Sequence, residues 1–393
     1  MRLLSRMSLP LALLALALAG SASAHDRSGA HDRSGGHDRS DVVGHVYVDD
    51  NTGGTNTIGV FDRHADGSLT PLAGSPFTAG GAGTGQGLAS QGAIQVSPDG
   101  RFVIAVDAGS NQLSVLRVGD DGSLRLVRDG VVSSGGTLPD SVTVHGDLVY
   151  VANSGDAATN YTGFTLGDQG QLRPVTDSTV ALPAGSAPAD VLFNATGTKL
   201  AGTRAGSSLI DSFTVGRDGR LTAAPDSPLP AQGLGPFGSE FRPTNPDQLF
   251  VSNAHNVGAG TGTVSAYADA ASGTLTPIGA SPFADGQTAP CWVEITPNGR
   301  FLFTVNTASG SISAYSIATD GTLTLLGSTP VGAIGGVGAV DARLSPDGRT
   351  LYVDESRIGK IGEFAVHGGD LTELAGSPVS LPTGAAPAGV ATN

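Results

Sequence analysis

Short stretches of alternating apolar and polar residues dominate the chain from Val42 onward. Residues 291–328 are typical, with CWVEI, RFLFTVN, SISAYSI and TLTLLGS separated by turns such as TPNG and ATDG. A period of two and β-branched residues are typical of β-strands, and Pro-Asn-Gly and Asp-Gly are typical of tight turns. No segment after Ala24 has the 3.6-residue period of an amphipathic helix. The sequence therefore predicts an all-β protein.

A Gly-x-Leu unit preceded by a turn recurs seven times. Its glycines are Gly67, Gly122, Gly170, Gly219, Gly273, Gly321 and Gly369, spaced by 55, 48, 49, 54, 48 and 48 residues. Seven units over 42–393 give a period of about 50 residues, which is the length of a propeller blade. We predict one seven-bladed β-propeller over residues 42–393, with four antiparallel strands in each blade.

The two ends of the repeat are complementary. The predicted propeller starts with HVYVDD, which has the pattern of a second strand, and stops with PAGVATN, which has the pattern of a first strand. Together they complete one blade, so pairing of the N- and C-terminal strands is expected to close the ring. Closure removes the sheet edge that an open array exposes. A solenoid and two β-sandwiches are the alternatives, and the split blade speaks against both.

Three segments carry a resemblance to a known family. They are residues 96–124, 295–323 and 344–364, which contain the turns SPDG and TPNG, and the strand ends LAGSPF and IGASPF fit the same pattern. In these features the chain resembles the seven-bladed lactonase family, which includes 6-phosphogluconolactonases and carboxy-muconate cyclase relatives. The resemblance implies a propeller that hydrolyses or isomerises a small lactone at the mouth of its channel.

The same resemblance points to two motif positions. Family enzymes typically begin one first strand with Pro-Arg-His, where this chain has Ala189 and Asp190 after the proline. They also carry Glu-x-His before a Ser-Pro-Asp-Gly turn, where this chain has Asp341 and Arg343. A carboxylate is kept at the second position, and both histidines are replaced.

Polar residues alternate with apolar ones along the predicted first strands. Polar groups on an inner strand are costly unless they are solvated or paired, so this column is expected to face a wet channel. The predicted catalytic residues are Asp341, Arg343 and Asp190, and the predicted substrate-binding residues are Glu240, Glu294, Trp292, His255 and Arg357. The alternative is a hydrogen-bonded polar network that fills the channel around water.

Each residue type in this group has a possible chemical role. Clustered carboxylates raise one another's pKa and can act as a general base or acid near neutral pH, while Arg343 can hold a developing oxyanion. Trp292 can stack on a sugar or an aromatic lactone, or it can fill a gap. His255 and Arg357 lie in loops after predicted second strands, where the alternative for His255 is a solvated loop and for Arg357 a cap on the loop backbone.

The composition of the chain limits the classes of ligand and partner that can be expected. The net charge of −14 provides no electrostatic footprint for nucleic acid or an anionic membrane, and the single Cys291 excludes an intramolecular disulfide and a cysteine-cluster metal site. We expect no cofactor and no metal, with Ca²⁺ on a carboxylate ring as the alternative. The expected partner of this monomer is a small molecule or lactone. The rival function is a non-catalytic propeller that binds a ligand or protein on its top face.

The first 41 residues are predicted to lie outside the fold. Residues 1–24 combine basic residues, the apolar run LPLALLALALAG and a small-residue cleavage site before His25, which together predict a signal peptide and a secreted or periplasmic protein. The apolar run is shorter than the roughly 20 residues of a membrane span. Residues 25–41 repeat His-Asp-Arg-Ser three times and predict a disordered leader, with weak metal capture as the alternative.

Overall fold

The computed structural model describes residues 41–332 and 338–393. Every named element over these residues is a β-strand, and the strands form seven antiparallel sheets of four or five strands each. The predicted all-β, seven-bladed architecture is confirmed. The predicted signal peptide and all but the last residue of the predicted leader lie outside the described residues. The described part of the chain has no helix long and apolar enough to cross a bilayer.

Blades 1 to 4 take up the first half of the chain. Blade 1 holds β1 (Val42–Asp49), β2 (Gly54–His64), β3 (Leu69–Pro71) and β4 (Phe77–Gly83). Blade 2 holds β5 (Ile94–Val96), β6 (Phe102–Asp107), β7 (Gln112–Val118) and β8 (Leu124–Ser133). Blade 3 holds β9 (Pro139–His145), β10 (Leu148–Asn153), β11 (Asn160–Leu166), β12 (Leu172–Pro174) and β13 (Val180–Ala181). Blade 4 holds β14 (Pro188–Phe193), β15 (Lys199–Arg204), β16 (Leu209–Val215), β17 (Leu221–Ala223) and β18 (Leu229–Pro230).

Blades 5 to 7 repeat the arrangement, and the last strand returns to blade 1. Blade 5 holds β19 (Pro236–Arg242), β20 (Asn245–Asn253), β21 (Thr263–Asp269), β22 (Leu275–Pro277) and β23 (Phe283–Ala284). Blade 6 holds β24 (Pro290–Ile295), β25 (Phe301–Asn306), β26 (Ser311–Ile317) and β27 (Leu323–Pro330). Blade 7 holds β28 (Ala339–Leu344), β29 (Thr350–Glu355), β30 (Lys360–His367), β31 (Asp370–Glu373) and β32 (Val379–Ser380). The final strand is β33 (Gly389–Thr392).

The ring closes through its two ends, as the split repeat predicts. Strand β33 pairs antiparallel with β1, from Val46 opposite Thr392 to Asp49 opposite Gly389. The first strands of the blades, here called the inner strands, follow one another around the axis in the order β33, β5, β9, β14, β19, β24 and β28, and β28 packs against β33. The junction of β28, β33 and β1 is called the seam below.

The fourth strand differs from the continuous strand that the alternation pattern predicts. In five blades it is split into two short segments that both pair with the third strand, whereas β8 and β27 are continuous. A serine in each break accepts a hydrogen bond from a third-strand N–H at 2.8–3.0 Å; these serines are Ser75, Ser178, Ser227, Ser281 and Ser377. The hydroxyl therefore satisfies a backbone donor that the broken ladder leaves unpaired.

The hydrophobic core lies between neighbouring blades. Tyrosines of the second and third strands are among its largest fully buried side chains. Two of them also hydrogen-bond to the repeated turn of the next blade, because Tyr150 donates to the Gly219 carbonyl at 2.8 Å and Tyr352 donates to the Gly67 carbonyl at 2.9 Å. Burying a tyrosine ring while pairing its hydroxyl ties adjacent blades together.

Candidate functional site

The predicted polar column of the inner strands forms two layers. The upper layer, near the start of each strand, contains Ala93, Ser141, Asp190, Gly238, Trp292 and Asp341. The lower layer, two residues further on, contains Gln95, Thr143, Leu192, Glu240, Glu294 and Arg343. A spacing of two keeps both residues of a strand on the same face. The upper layer is buried throughout, whereas Gln95, Leu192, Glu240 and Arg343 of the lower layer are partly exposed.

Most polar side chains of the column cap the backbone of the next inner strand. In the upper layer, Ser141 accepts the Val191 N–H at 3.1 Å, Asp190 accepts the Ser239 N–H at 2.9 Å and Asp341 accepts the Val390 N–H at 3.1 Å. In the lower layer, Thr143 accepts the Phe193 N–H at 3.2 Å, Glu240 accepts the Ile295 N–H at 2.5 Å and Glu294 accepts the Leu344 N–H at 2.9 Å. An inner strand pairs with a second strand on one side only, so these contacts satisfy N–H groups on its other edge.

A plug of side chains fills the column around the upper layer of blade 6. The Gln91 side chain reaches across the ring, accepts the Val293 N–H at 2.9 Å and donates to the Ser239 carbonyl at 3.1 Å. A Cβ on Gly238 would lie 2.2 Å from the Gln91 amide oxygen and 2.6 Å from the Cys291 backbone carbonyl oxygen, so any larger residue would displace backbone there. Gln91 thus supplies the cap that Gly238 lacks.

Trp292 belongs to the same plug. Its indole N–H donates to the Ser90 carbonyl at 2.8 Å, and its ring meets the edge of Phe237 with centroids 5.2 Å apart. The side chain is only 3% exposed. Of the two roles considered for Trp292, the contacts correspond to filling a gap, and a ligand has no open face of the indole on which to stack.

Arg343 is the cation that faces the column carboxylates. Its guanidinium lies 3.2 Å from the Glu294 carboxylate and donates weakly to the Val390 carbonyl at 3.4 Å. The side chain is 25% exposed, so solvent reaches it, whereas Asp341 and Asp190 are almost completely buried. The structure therefore brings the predicted catalytic residues close to one another, but it leaves only Arg343 accessible.

Burial is the largest contribution to the pKa shifts of the carboxyl groups in the column. It raises the pKa of Asp190 to about 7 against hydrogen bonds from Ser239, and it raises the pKa of Asp341 to about 7 against the Arg343 guanidinium. Burial also raises the pKa of Glu240 well above its usual range, and the neighbouring Glu294 carboxylate raises it further. Burial therefore favours the protonated form of these carboxyl groups, which is the form that acts as a general acid.

His255 and Arg357 lie outside the buried column. Both are exposed, in the loops that follow β20 and β29. The His255 ring packs against Gly235, and the Arg357 stem packs against Gly338; both glycines have positive φ. These two side chains belong to the rim of the upper face rather than to the layers of the column.

A second regularity links the end of the second strand to the third strand in five blades. A polar residue there bonds to a side chain seven positions later, as in Asp49–Asn56, Asp107–Ser114, Asn153–Asn160, Arg204–Asp211 and Asn306–Ser313. In blade 5 the partner lies twelve positions later, where Asn253 donates to Ser265 at 2.9 Å. In blade 7 Gly362 faces Glu355, and both oxygens of that buried carboxyl have no hydrogen-bond partner. Blade 7 therefore contains a buried acid without a hydrogen-bond partner, which only the Lys360 charge partly compensates.

Buried carboxyl groups also accumulate at the seam itself. Asp354 is fully buried with no hydrogen-bond partner on either oxygen, and one oxygen of the buried Asp50 is also unpartnered. Burial raises the pKa of Asp354 well above its usual range, and the Asp341 and Asp50 carboxylates add to the shift. Burial raises the pKa of Asp50 to about 7. Burial therefore favours the protonated form of both acids.

Neither a metal site nor a reactive thiol emerges from this geometry. Within residues 41–332 and 338–393, no group of three or more His, Cys, Asp or Glu side chains is arranged to hold a metal ion. Burial raises the pKa of the Cys291 thiol to about 11, which disfavours the thiolate needed for nucleophilic attack.

Comparison with known proteins places the chain in a family. The family profile described as "Lactonase, 7-bladed beta-propeller" matches residues 54–193 and 241–333. No curated protein matches the chain.

Several solved structures share the fold. One is a candidate 6-phosphogluconolactonase from Bacteroides uniformis, with 19% identity and a TM-score of 0.70, covering 89% of this chain and 99% of that one. A second such candidate from Bacteroides fragilis has 19% identity and a TM-score of 0.69, covering 91% and 99%. The periplasmic gluconolactonase PpgL of Pseudomonas aeruginosa has 17% identity and a TM-score of 0.69, covering 89% and 98%. At these identities the likeness concerns the fold.

Proposed function

Because this chain belongs to the lactonase family of seven-bladed β-propellers, we propose that it hydrolyses a small lactone at the lower layer of the column. Glu240 and Arg343 are the groups that meet the substrate. The observation that carries this proposal is accessibility, since these are the charged column residues that solvent reaches. Asp341 and Asp190, predicted to be catalytic, take the role of buried groups that cap the backbone.

The chemistry follows from a carboxyl pair beside one guanidinium. Glu240 and Glu294 repel each other's charge, so the pair retains a proton at neutral pH. The ionised carboxylate takes a proton from water as the water oxygen attacks the lactone carbonyl, and Arg343 stabilises the resulting oxyanion. The ring C–O bond then breaks, and the alkoxide takes a proton from the carboxyl pair. The product is the open-chain hydroxy acid.

Glu240→Gln tests the acid–base role without removing the backbone cap. The amide oxygen of glutamine can still accept the Ile295 N–H, so the fold is retained while the titrating group is lost. We expect turnover of a lactone in a panel to fall about 10²–10⁴-fold, the range for losing a general acid or base. Arg343→Ala is expected to lower turnover about a hundredfold or more, as for losing an oxyanion donor.

Glu373→Gln is the matched control, because Glu373 is exposed on the outer strand β31 of blade 7. Acid release would be followed in a weakly buffered solution with a pH indicator, and circular dichroism would confirm folding. Wild-type turnover of a hydrolysed lactone by folded Glu240→Gln and Arg343→Ala variants would rule out this site.

A non-catalytic binding function is the second candidate. It is supported by the caps themselves, because four column carboxylates each hold a backbone N–H of the next blade and therefore already have a structural role. Absence of acid release over the whole lactone panel, together with a saturable rise in melting temperature with one compound, would favour this candidate.

We also propose that the protein is exported. Support comes from the basic, apolar and small-residue pattern of residues 1–24. Expression of the full chain in a bacterial host, followed by fractionation and N-terminal sequencing, is expected to yield a periplasmic or secreted protein that begins at His25. Recovery of an uncleaved chain in the cytoplasmic fraction would contradict the proposal.

A further inference from the structure

Two arginines face each other on the outer part of blade 2. Arg117 of β7 and Arg125 of β8 are directly opposite partners in the antiparallel register. Such side chains share one face, with Cβ atoms about 5 Å apart, and like charges in this position are destabilising. In the part of the chain that the structure describes, neither guanidinium forms an ion pair with a carboxylate. Repulsion between Arg117 and Arg125 is therefore expected to destabilise blade 2 locally.

The arginine pair lines a concavity between blades 2 and 3. Its volume is about 350 Å³. Arg128 of β8 adds a third guanidinium, and Gln169 and Gln171 add side-chain amides from the turn of blade 3. The acid nearest to Arg128 is Asp129 at 3.8 Å, and since both side chains are almost fully exposed, water screens that contact. The lining thus combines three cations with two uncharged amides.

Packing holds the central guanidinium in place. The Arg117 guanidinium lies 4.8 Å from the centroid of the Phe102 ring, and it donates to the Gln169 side-chain carbonyl at 3.5 Å. Phe102 is buried, so the ring is a fixed platform. Stacking on an aromatic face restricts a guanidinium while leaving its N–H groups available.

We propose that this concavity, called the arginine pocket, binds a multiply charged oxyanion of the phosphate or sulfate class. Guanidinium groups match such oxygens with paired hydrogen bonds, and an anion between Arg117 and Arg125 removes their mutual repulsion. The placement is unusual for a chain with a net charge of −14 and only 21 Lys and Arg residues. The site is independent of lactone hydrolysis, because it lies on the outer strands of a different blade from Glu240 and Arg343.

Titration with inorganic pyrophosphate at constant ionic strength tests the proposal. Calorimetry is expected to show saturable binding that weakens about tenfold or more in Arg125→Ala, the scale of losing charge-assisted hydrogen bonds. Arg349→Ala is the matched control, since Arg349 is an exposed arginine of blade 7, and it is expected to bind as the wild type does. A parallel arm measures cosedimentation with phosphatidic acid vesicles, which present a phosphate monoester as a lipid headgroup.

The two arms distinguish the source of the anion. Pyrophosphate binding that depends on Arg125 supports a free anion, and vesicle binding that depends on Arg125 supports a headgroup. Absence of binding in both arms, or binding that Arg125→Ala does not weaken, overturns the proposal.

Arg125→Glu provides a check of opposite sign. It places a carboxylate opposite Arg117, so we expect a higher melting temperature without anion. We also expect loss of the rise in melting temperature that pyrophosphate binding produces in the wild type. A lower melting temperature in the folded variant, or an undiminished response to pyrophosphate, would contradict the role assigned to this like-charge pair.

Discussion

Truncating Val390 to alanine tests whether the seam opens independently of the rest of the ring. Val390 lies in β33, is fully buried, and packs with Val46, Val48 and Tyr352. The loss of two buried methyl groups lowers the free energy of unfolding by about 0.8 kcal/mol each. The cavity left behind adds to this, so the total is about 2 kcal/mol. Because the unfolding entropy scales with chain length, this lowers the melting temperature of a domain of about 350 residues by about 3 °C.

Val293→Ala is the matched control, since Val293 is equally buried on the inner strand β24 in the continuous part of the chain. We expect a similar melting temperature in both variants but different local exchange. A terminal strand opens without the rest of the fold, so about 2 kcal/mol lost at Val390 should speed amide exchange of residues 389–393 about thirtyfold. Hydrogen–deuterium exchange of the C-terminal peptide measures this. Equal protection of that peptide in both variants would refute independent opening of the seam.

Two further predictions concern pH and the leader. Protons held by Asp50 and Asp341 in the folded state, with pKa values of about 7, are lost as pH rises, so the free energy of unfolding should fall between pH 5 and 7 by about 1.4 kcal/mol per pH unit for each. Asp50→Asn should reduce this slope in urea unfolding, and an unchanged slope would exclude Asp50 as one of its sources. Deleting residues 25–40 should leave the melting temperature of the mature chain unchanged, and a clear decrease in differential scanning fluorimetry would show that the leader docks.

Local pattern was sufficient to predict the fold. Strand alternation, Asp-Gly turns and the period of about 50 residues depend on neighbours within one blade, so each can be recognised in a single sequence. The complementary ends also predicted the pairing of β33 with β1, which the register from Val46 to Asp49 confirms. The split fourth strand was not predicted, because its pairing depends on a serine hydroxyl that substitutes for a ladder partner.

The candidate site depended on contacts between blades. The alternation along inner strands identified Asp190, Glu240, Glu294, Asp341 and Arg343 as one column, but it did not show which atoms they bond. Most of their partners are backbone N–H groups about 50 residues further along the chain, on the neighbouring blade. A glycine within the polar column, Gly238, was the one signal that another side chain must supply a cap.

The sequence by itself determined the repeat, the number of blades, the closure of the ring and the family resemblance, because these follow from hydrophobic periodicity and turn chemistry within short segments. Only the tertiary structure decided that Gln91 crosses the ring, that Trp292 fills the column and that Arg117 and Arg125 share a pocket. The physical reason is that burial and hydrogen-bond partnership depend on which strands meet in space. Burial leaves Asp190 and Asp341 as backbone caps, whereas Glu240, which solvent reaches, is both a backbone cap and the catalytic candidate.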